Sequence, residues 1–212
     1  MVATLDIKNF FGTTRFEMFE APLHAAGFRD DALAAIRALT LFEGFLPQGA
    51  PTSPFLANLA LLAADFEILL LCRRNQMDFT RYIDDIAVSG MRDLIGAKGH
   101  LSSIIESKGF ALAQNKVLFR GQDQEQVVTG LVVNKKLRPR REWRSKLKDE
   151  IQGFVDGRGE ELADESGLSL VAFKARLCGQ AQHLIQFDRS EGTRLLKKAR
   201  FGSARKKSEV PT

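Results

Sequence analysis

The sequence predicts an α+β fold, with strands and helices gathered on one antiparallel sheet up to residue 134 and helices beyond it. Three observations lead there. Val2-Ala3-Thr4-Leu5-Asp6-Ile7 reads as a short strand, and the apolar flanks of Tyr82-Ile83-Asp84-Asp85 read as the two arms of a hairpin. Residues 16–26, 31–39, 55–71 and 94–108 have helical spacing and fall between or beside those strands. After Asn134 the pattern turns helical, at 142–155 and 170–186.

Each element has a local reason. In Leu46-Pro47-Gln48-Gly49-Ala50-Pro51-Thr52-Ser53-Pro54 the turn formers precede a helix that Thr52 or Ser53 can cap, with Pro54 in its first turn. The helix over 55–71 is mostly apolar but carries Asn58, Asp65 and Glu67. That over 94–108 stops at Gly109. Val128-Thr129-Gly130-Leu131-Val132-Val133-Asn134 reads as one strand, and 156–167, rich in Gly, Asp and Glu, as a loop between helices. The order fits a split βαβ arrangement.

Asp84 and Asp85 fall at the tight turn of the hairpin, where adjacent carboxylates repel unless a cation or basic group neutralises them. If the 2–7 strand lies beside the hairpin, Asp6 joins them from a separate strand. Converging carboxylates suit Mg²⁺, a hard cation that takes oxygen ligands and leaves room for substrate phosphates. Two such ions can stabilise the attacking and leaving oxygens of a phosphoryl displacement.

Together these segments resemble reverse transcriptases. The first catalytic motif of that family is similar to Leu5-Asp6-Ile7-Lys8-Asn9-Phe10-Phe11, its nucleotide loop to residues 46–54, and its metal-binding hairpin to Tyr82-Ile83-Asp84-Asp85, in the same order and with similar spacing. Within the family the chain looks most like the bacterial retron type, which carries a segment similar to 128–134 after the palm. The resemblance implies a palm domain over 1–134, a helical thumb-like region over 135–201 and a basic flexible tail over 202–212. It covers 1–133 with specific motifs and the remainder more weakly.

What the resemblance implies for single residues follows position by position. Asp6, Asp84 and Asp85 match the carboxylates that hold two Mg²⁺ ions, with Mn²⁺ as a substitute. Phe11 matches the aromatic position that crowds the ribose 2′ carbon; as residues alone, Phe10 and Phe11 also read as rings closing a strand onto a core. Gln48 and Gly49 match residues lining the incoming nucleotide. Tyr82 matches the residue near the primer terminus, and reads equally as a half-buried strand tyrosine. Lys116, in Gly109-Phe110-Ala111-Leu112-Ala113-Gln114-Asn115-Lys116-Val117, matches a lysine that protonates or stabilises the pyrophosphate leaving group. Ala113 and Val117 stand where the family has Asn and Thr, and a solvent-facing strand lysine is the other reading.

Charge divides the chain. Residues 1–133 hold 12 Lys and Arg against 15 Asp and Glu, a net −3, whereas 134–212 hold 19 against 11, a net +8. The densest basic run supplies Lys135, Lys136, Arg138, Arg140, Arg141 and Arg144 as candidate RNA-binding residues, with Trp143 inside it to stack or to pack. Cys72 and Cys178 lack metal-ligand spacing and read as free thiols of a cytoplasmic protein. His24, His100 and His183 do not cluster in the sequence. No apolar stretch has the length of a membrane span, and no secretory pattern opens the chain.

The resemblance therefore implies an RNA-directed DNA polymerase that extends a DNA or RNA primer with dNTPs on an RNA template. It implies a structured noncoding RNA as partner and an antiviral role with an effector protein. Family members also carry an upstream fingers segment, and the chain begins almost on Asp6, so that segment is expected to be missing. Two other readings stay open: a group II intron-like or other defence-associated reverse transcriptase, and a fingerless RNA-binding remnant without catalysis.

Overall fold

A computed structural model describes residues 1–90 and 94–202. The chain divides into two compact units, Met1–Thr129 and Gly130–Thr212.

The first unit opens with β1 (Val2–Asp6), followed by α1 (Phe10–Thr13), α2 (Glu17–Ala25), α3 (Asp30–Thr40), α4 (Ser53–Ala60) and α5 (Leu62–Arg74). The hairpin β2 (Met77–Tyr82) and β3 (Asp85–Gly90) comes next, then α6 (Leu94–Ser107), a 3₁₀ turn (Gln114–Lys116), β4 (Leu118–Arg120) and β5 (Val127–Val128). Four strands form one sheet in the order β2-β3-β1-β4, with every neighbouring pair antiparallel. Placing β1 in the middle is what brings the first acidic residue of the chain beside the hairpin eighty residues later.

One face of this sheet is apolar. Ala3, Leu5, Ile86 and Val88 are buried with Phe19, Leu56, Ala57, Leu61, Ala64, Ile68 and Ile105 from the helices. Burial of that kind stabilises by roughly 25 cal/mol per Å² of apolar surface. Gly109 takes φ +83° after α6, and the Phe110 amide closes back on the Ile105 carbonyl, as a helix stop at this glycine requires.

The structure corrects several expectations. The single helix over 55–71 is two helices, α4 and α5, bent by 53° at Leu61. The break carries no Pro or Gly; Leu61 is fully buried, so packing rather than propensity sets it. Among the described residues no single helix is long and apolar enough to cross a membrane, and the bent pair meets that test only by length and composition. The strand over 128–134 is interrupted, because Thr129 and Gly130 both take left-handed backbone (φ +46° and +84°). Thr52 makes no capping bond; Ser53 is the first helical residue, and its hydroxyl instead donates to the Pro47 carbonyl at 2.7 Å.

The second unit contains β6 (Leu131–Val132), β7 (Arg138–Pro139), α7 (Arg141–Val155), α8 (Gly159–Glu165), α9 (Leu170–Ile185) and α10 (Arg189–Phe201). Its core is Leu147, Ile151, Phe154, Phe173, Leu177, Leu184, Leu195 and smaller residues. The expected loop over 156–167 holds α8, whose Ala163 is buried. The sequence reading also passed over α10, where Leu195 and Ala199 recur at helical spacing within a polar run. The basic tail expected at 202–212 lies, beyond Gly202, outside the described residues.

Candidate active site

Antiparallel register decides which side chains meet. Asp6 of β1 is directly opposite Asp85 of β3, and Asp85 is directly opposite Tyr82 of β2. Directly opposed residues share a face, so Tyr82, Asp85 and Asp6 form a row across three strands. Asp84 sits at the turn joining Tyr82 to Asp85, and its carbonyl accepts from the Ile7 amide at 3.2 Å, which ties the turn to the end of β1.

Like charges directly opposite on a sheet are destabilising. Burial, followed by the charges of Asp84 and Asp6, pushes the Asp85 carboxyl up from its ordinary value, and Lys116 opposes them. Lys116 ends the 3₁₀ turn rather than lying in a strand. The Asp6 carbonyl accepts from the Ala113 amide at 2.8 Å and places this turn. Lys116 Nζ then donates to both carboxylate oxygens of Asp6, at 3.0 and 2.9 Å. The bond to Asp6, reinforced by the charges of Asp6, Asp84 and Asp85, holds the Lys116 ammonium above its ordinary pKa.

From the sequence, two or three carboxylates are expected to converge on one place; in the structure Asp6 and Asp85 lie directly opposite one another, with Asp84 at the adjoining turn. Among the described residues no group of three or more His, Cys, Asp or Glu side chains is placed to hold a metal ion. Unscreened carboxylates repel, and Asp6, largely buried at 14% side-chain exposure, turns to the Lys116 ammonium. The chemistry of the donors still fits a hard divalent cation. All three offer carboxylate oxygens, Asp85 is raised by desolvation and then by its acidic neighbours, and an ammonium already stands in as counter-ion.

The loop over 46–54 is held by two buried hydroxyls. Thr14, fully buried, donates from Oγ1 to the Phe10 carbonyl at 2.7 Å, and its own carbonyl accepts from the Leu46 amide at 3.1 Å. With Ser53 closing on Pro47, this fixes both ends of the loop and leaves Gln48 and Gly49 exposed, Gly49 at φ +92°. Phe11 is half-buried in α1, its ring 5.7 Å from that of Phe10, which is itself buried 5.3 Å from the Phe110 ring. Tyr82 is 65% exposed. The sequence reading did not single out Thr14.

Beneath the hairpin lies a network that the sequence reading also missed. Arg81 alternates onto the helix-covered face of β2 and its side chain is 9% exposed. Nε and Nη2 donate to the two oxygens of Asp65 on α5, at 2.7 and 2.5 Å. Nη1 donates to Oδ1 of Asn58 on α4 at 2.8 Å and to the Ile83 carbonyl at 2.6 Å. Ile83 takes φ +56°, a left-handed conformation that a β-branched residue rarely adopts.

In the second unit Lys135, Lys136, Arg138, Arg140 and Arg141 are exposed. Arg144 differs: its guanidinium turns inward to Glu191 and to Asp188. Trp143 packs against the helical core, 5.9 Å from the His183 ring and edge-on to it.

A four-stranded antiparallel sheet that presents an acidic hairpin beside an acidic strand end, with helices across its other face, has the fold of a reverse-transcriptase palm, and the helices that follow in sequence correspond to a thumb. The chain resembles retron reverse transcriptases in particular. It is 28% identical over 169 residues to the Retron Ec86 reverse transcriptase of Escherichia coli, covering 78% of this chain and 53% of that protein. It is 31% identical over 168 residues to the Retron Mx65 reverse transcriptase of Myxococcus xanthus, covering 70% of this chain and 39% of that protein. Among solved structures, telomerase from Candida albicans in complex with a fragment of telomeric RNA matches 92% of this chain and 40% of its own, with a TM-score of 0.52 and 13% identity. No protein-family model matches. The chain thus spans about half or less of the curated relatives it matches.

Proposed function

We propose that the chain supplies the catalytic palm of an RNA-directed DNA polymerase of the retron type. The observation that supports this best is the Tyr82, Asp85 and Asp6 row with Asp84 at its turn and Lys116 bonded to Asp6. Kinship with retron enzymes supports the same reading.

In the proposed reaction a primer 3′-hydroxyl forms a bond to the α-phosphorus of a dNTP, its proton passes to water, and the bond to pyrophosphate breaks. Asp6, Asp84 and Asp85 would hold two Mg²⁺ ions, or Mn²⁺ in their place, whose chemistry is to neutralise phosphate charge and favour the alkoxide. Binding them requires Lys116 to release Asp6. The released ammonium is then available to the departing pyrophosphate as acid or counter-charge. Phe11 would bar a ribose 2′-hydroxyl by bulk. Gln48 and Gly49 offer an exposed loop to the incoming nucleotide, and Tyr82 would lie by the primer terminus. Lys135, Lys136, Arg138, Arg140 and Arg141 would grip RNA phosphates. A structured noncoding RNA as template and partner, and antiviral defence with an effector protein, are proposed on the same kinship.

The test is extension of a DNA primer on an RNA template by this chain with Mg²⁺ and dNTPs, alongside Phe11→Ala. The proposal expects extension by the wild type, and ribonucleotide incorporation raised roughly 10–100-fold relative to dNTPs in the variant. Absence of extension, or sugar selection untouched by Phe11→Ala, would count against it.

A further inference from the structure

We infer that Arg81 is a positioning residue for the acidic turn: its guanidinium clamps the Ile83 carbonyl to Asp65 and Asn58, and so sets where Asp84 and Asp85 stand. The inference rests on the proposed polymerase site.

Strand alternation alone puts Arg81 on the opposite face of the sheet from Tyr82, Asp85 and Asp6, so it touches none of the reacting groups. Its reach is through the backbone. Four of its bonds are short, between 2.5 and 2.8 Å, and they join three elements: α4, α5 and the hairpin turn. The fork on Asp65 fixes the plane of the guanidinium, because a bidentate pair permits one orientation. With that plane fixed, Nη1 has no freedom to follow Ile83, and Ile83 must come to it. Strained backbone persists only where the surroundings over-determine it, and here the left-handed Ile83 is held from below. The residue that follows is Asp84. A carboxylate pair pressed together by register gains a defined spacing only if the turn cannot relax, and Arg81 is the group that stops it relaxing. Lysine could replace the charge but not the fork.

The test uses this chain with Arg81→Gln, Arg81→Lys and, as a scaffold control, Lys108→Gln, which breaks the pair between Lys108, just past α6, and Glu67 of α5, away from the turn. Mn²⁺ binding is read by electron paramagnetic resonance, turnover and KM for dNTP by primer extension, and folding by melting midpoint. Arg81→Gln is expected to weaken Mn²⁺ binding and lower kcat each by about 10–100-fold, the usual consequence of losing a group that orients a ligand. KM for dNTP stays near the wild-type value; the midpoint falls further than in Lys108→Gln, because Asp65 loses its buried partner, so binding and turnover are read well below it, where the variant is folded. Arg81→Lys recovers part of the loss. Mn²⁺ binding and kcat equal to wild type in Arg81→Gln, or losses that merely track the unfolded fraction, would overturn the inference. If the wild type binds Mn²⁺ but extends no primer, the polymerase reading fails, while weakened Mn²⁺ binding in Arg81→Gln still upholds the clamp.

Discussion

Glu191 in the helical unit and Asp6 in the sheet unit are both largely shielded acids, at 13% and 14% side-chain exposure, yet they are served differently. Glu191 takes bonds from Arg144 and from Lys148, the latter at 2.5 Å, and has Arg194 within 4.0 Å. Asp6, Asp84 and Asp85 share the ammonium of Lys116, which bonds Asp6 alone. A carboxylate surrounded by cations is finished structurally: its charge is met, its lone pairs are used, and it pins α10 to α7. Carboxylates that outnumber their counter-ion keep unmet charge, and unmet charge is what a cationic ligand can exploit. Acid and base content by half of the chain, −3 and +8, points the same way at coarser grain.

The contrast breaks first at the turn. Asp85→Asn is expected to reduce primer extension to the background of an enzyme-free control while leaving the helical unit intact, as read by denaturation followed through the fluorescence of Trp143, the sole tryptophan. Equal loss of both would mean the turn is structural, like Glu191.

Next in size is packing within the helical unit. A Cβ on Gly192 would lie 2.6 Å from the Ile185 amide nitrogen, so α10 approaches α9 at a point where only glycine fits. Gly192→Ala should cost about 3 kcal/mol by urea denaturation at Trp143, since backbone cannot move aside as a side chain can. Removing the charge of Glu191 by Glu191→Gln should cost about 2 kcal/mol in the same assay, the scale of hydrogen bonds to charged partners.

The same acid has a pH signature. Burial pushes the Glu191 carboxyl up, but the bonds from Lys148 and Arg144 outweigh it, so its pKa in the folded unit lies below the ordinary 4.5. A lowered folded value means the stabilisation is complete above 4.5 and drains away as pH falls from there through the folded value. Midpoints measured at Trp143 should fall across that acidic window, and the fall should shrink in Glu191→Gln. The smallest effect is at Lys116. Lys116→Ala should slightly speed hydrogen exchange of the β1 and β3 amides in EDTA, and Mg²⁺ should narrow the difference by replacing the lost counter-charge.

Alternation with a period of two shows which side chains of a strand share a face, but that β1 pairs with the hairpin, and in the register that sets Asp6 opposite Asp85, came from the structure. Lys116 was legible by motif, although its 3₁₀ turn was not. Arg81 was opaque because two of its partners, Asp65 and Asn58, lie 16 and 23 positions earlier and the third is the backbone carbonyl of Ile83, which no residue pattern displays. Arg144 misled for the opposite reason: a basic run looks uniform in sequence, and only the fold of α7 against α10 shows that one of its cations faces inward. The break at Leu61 and the helix inside 156–167 both come from burial that overrides local composition.

The most direct test of the central claim measures primer extension and RNA binding together, for the wild type and Asp84→Asn, in one Mg²⁺ buffer. If the acidic turn serves chemistry and the exposed cations of the helical unit serve binding, as proposed, Asp84→Asn loses extension and keeps RNA affinity close to wild type. Extension surviving in Asp84→Asn, or RNA binding lost along with it, would contradict that division of labour.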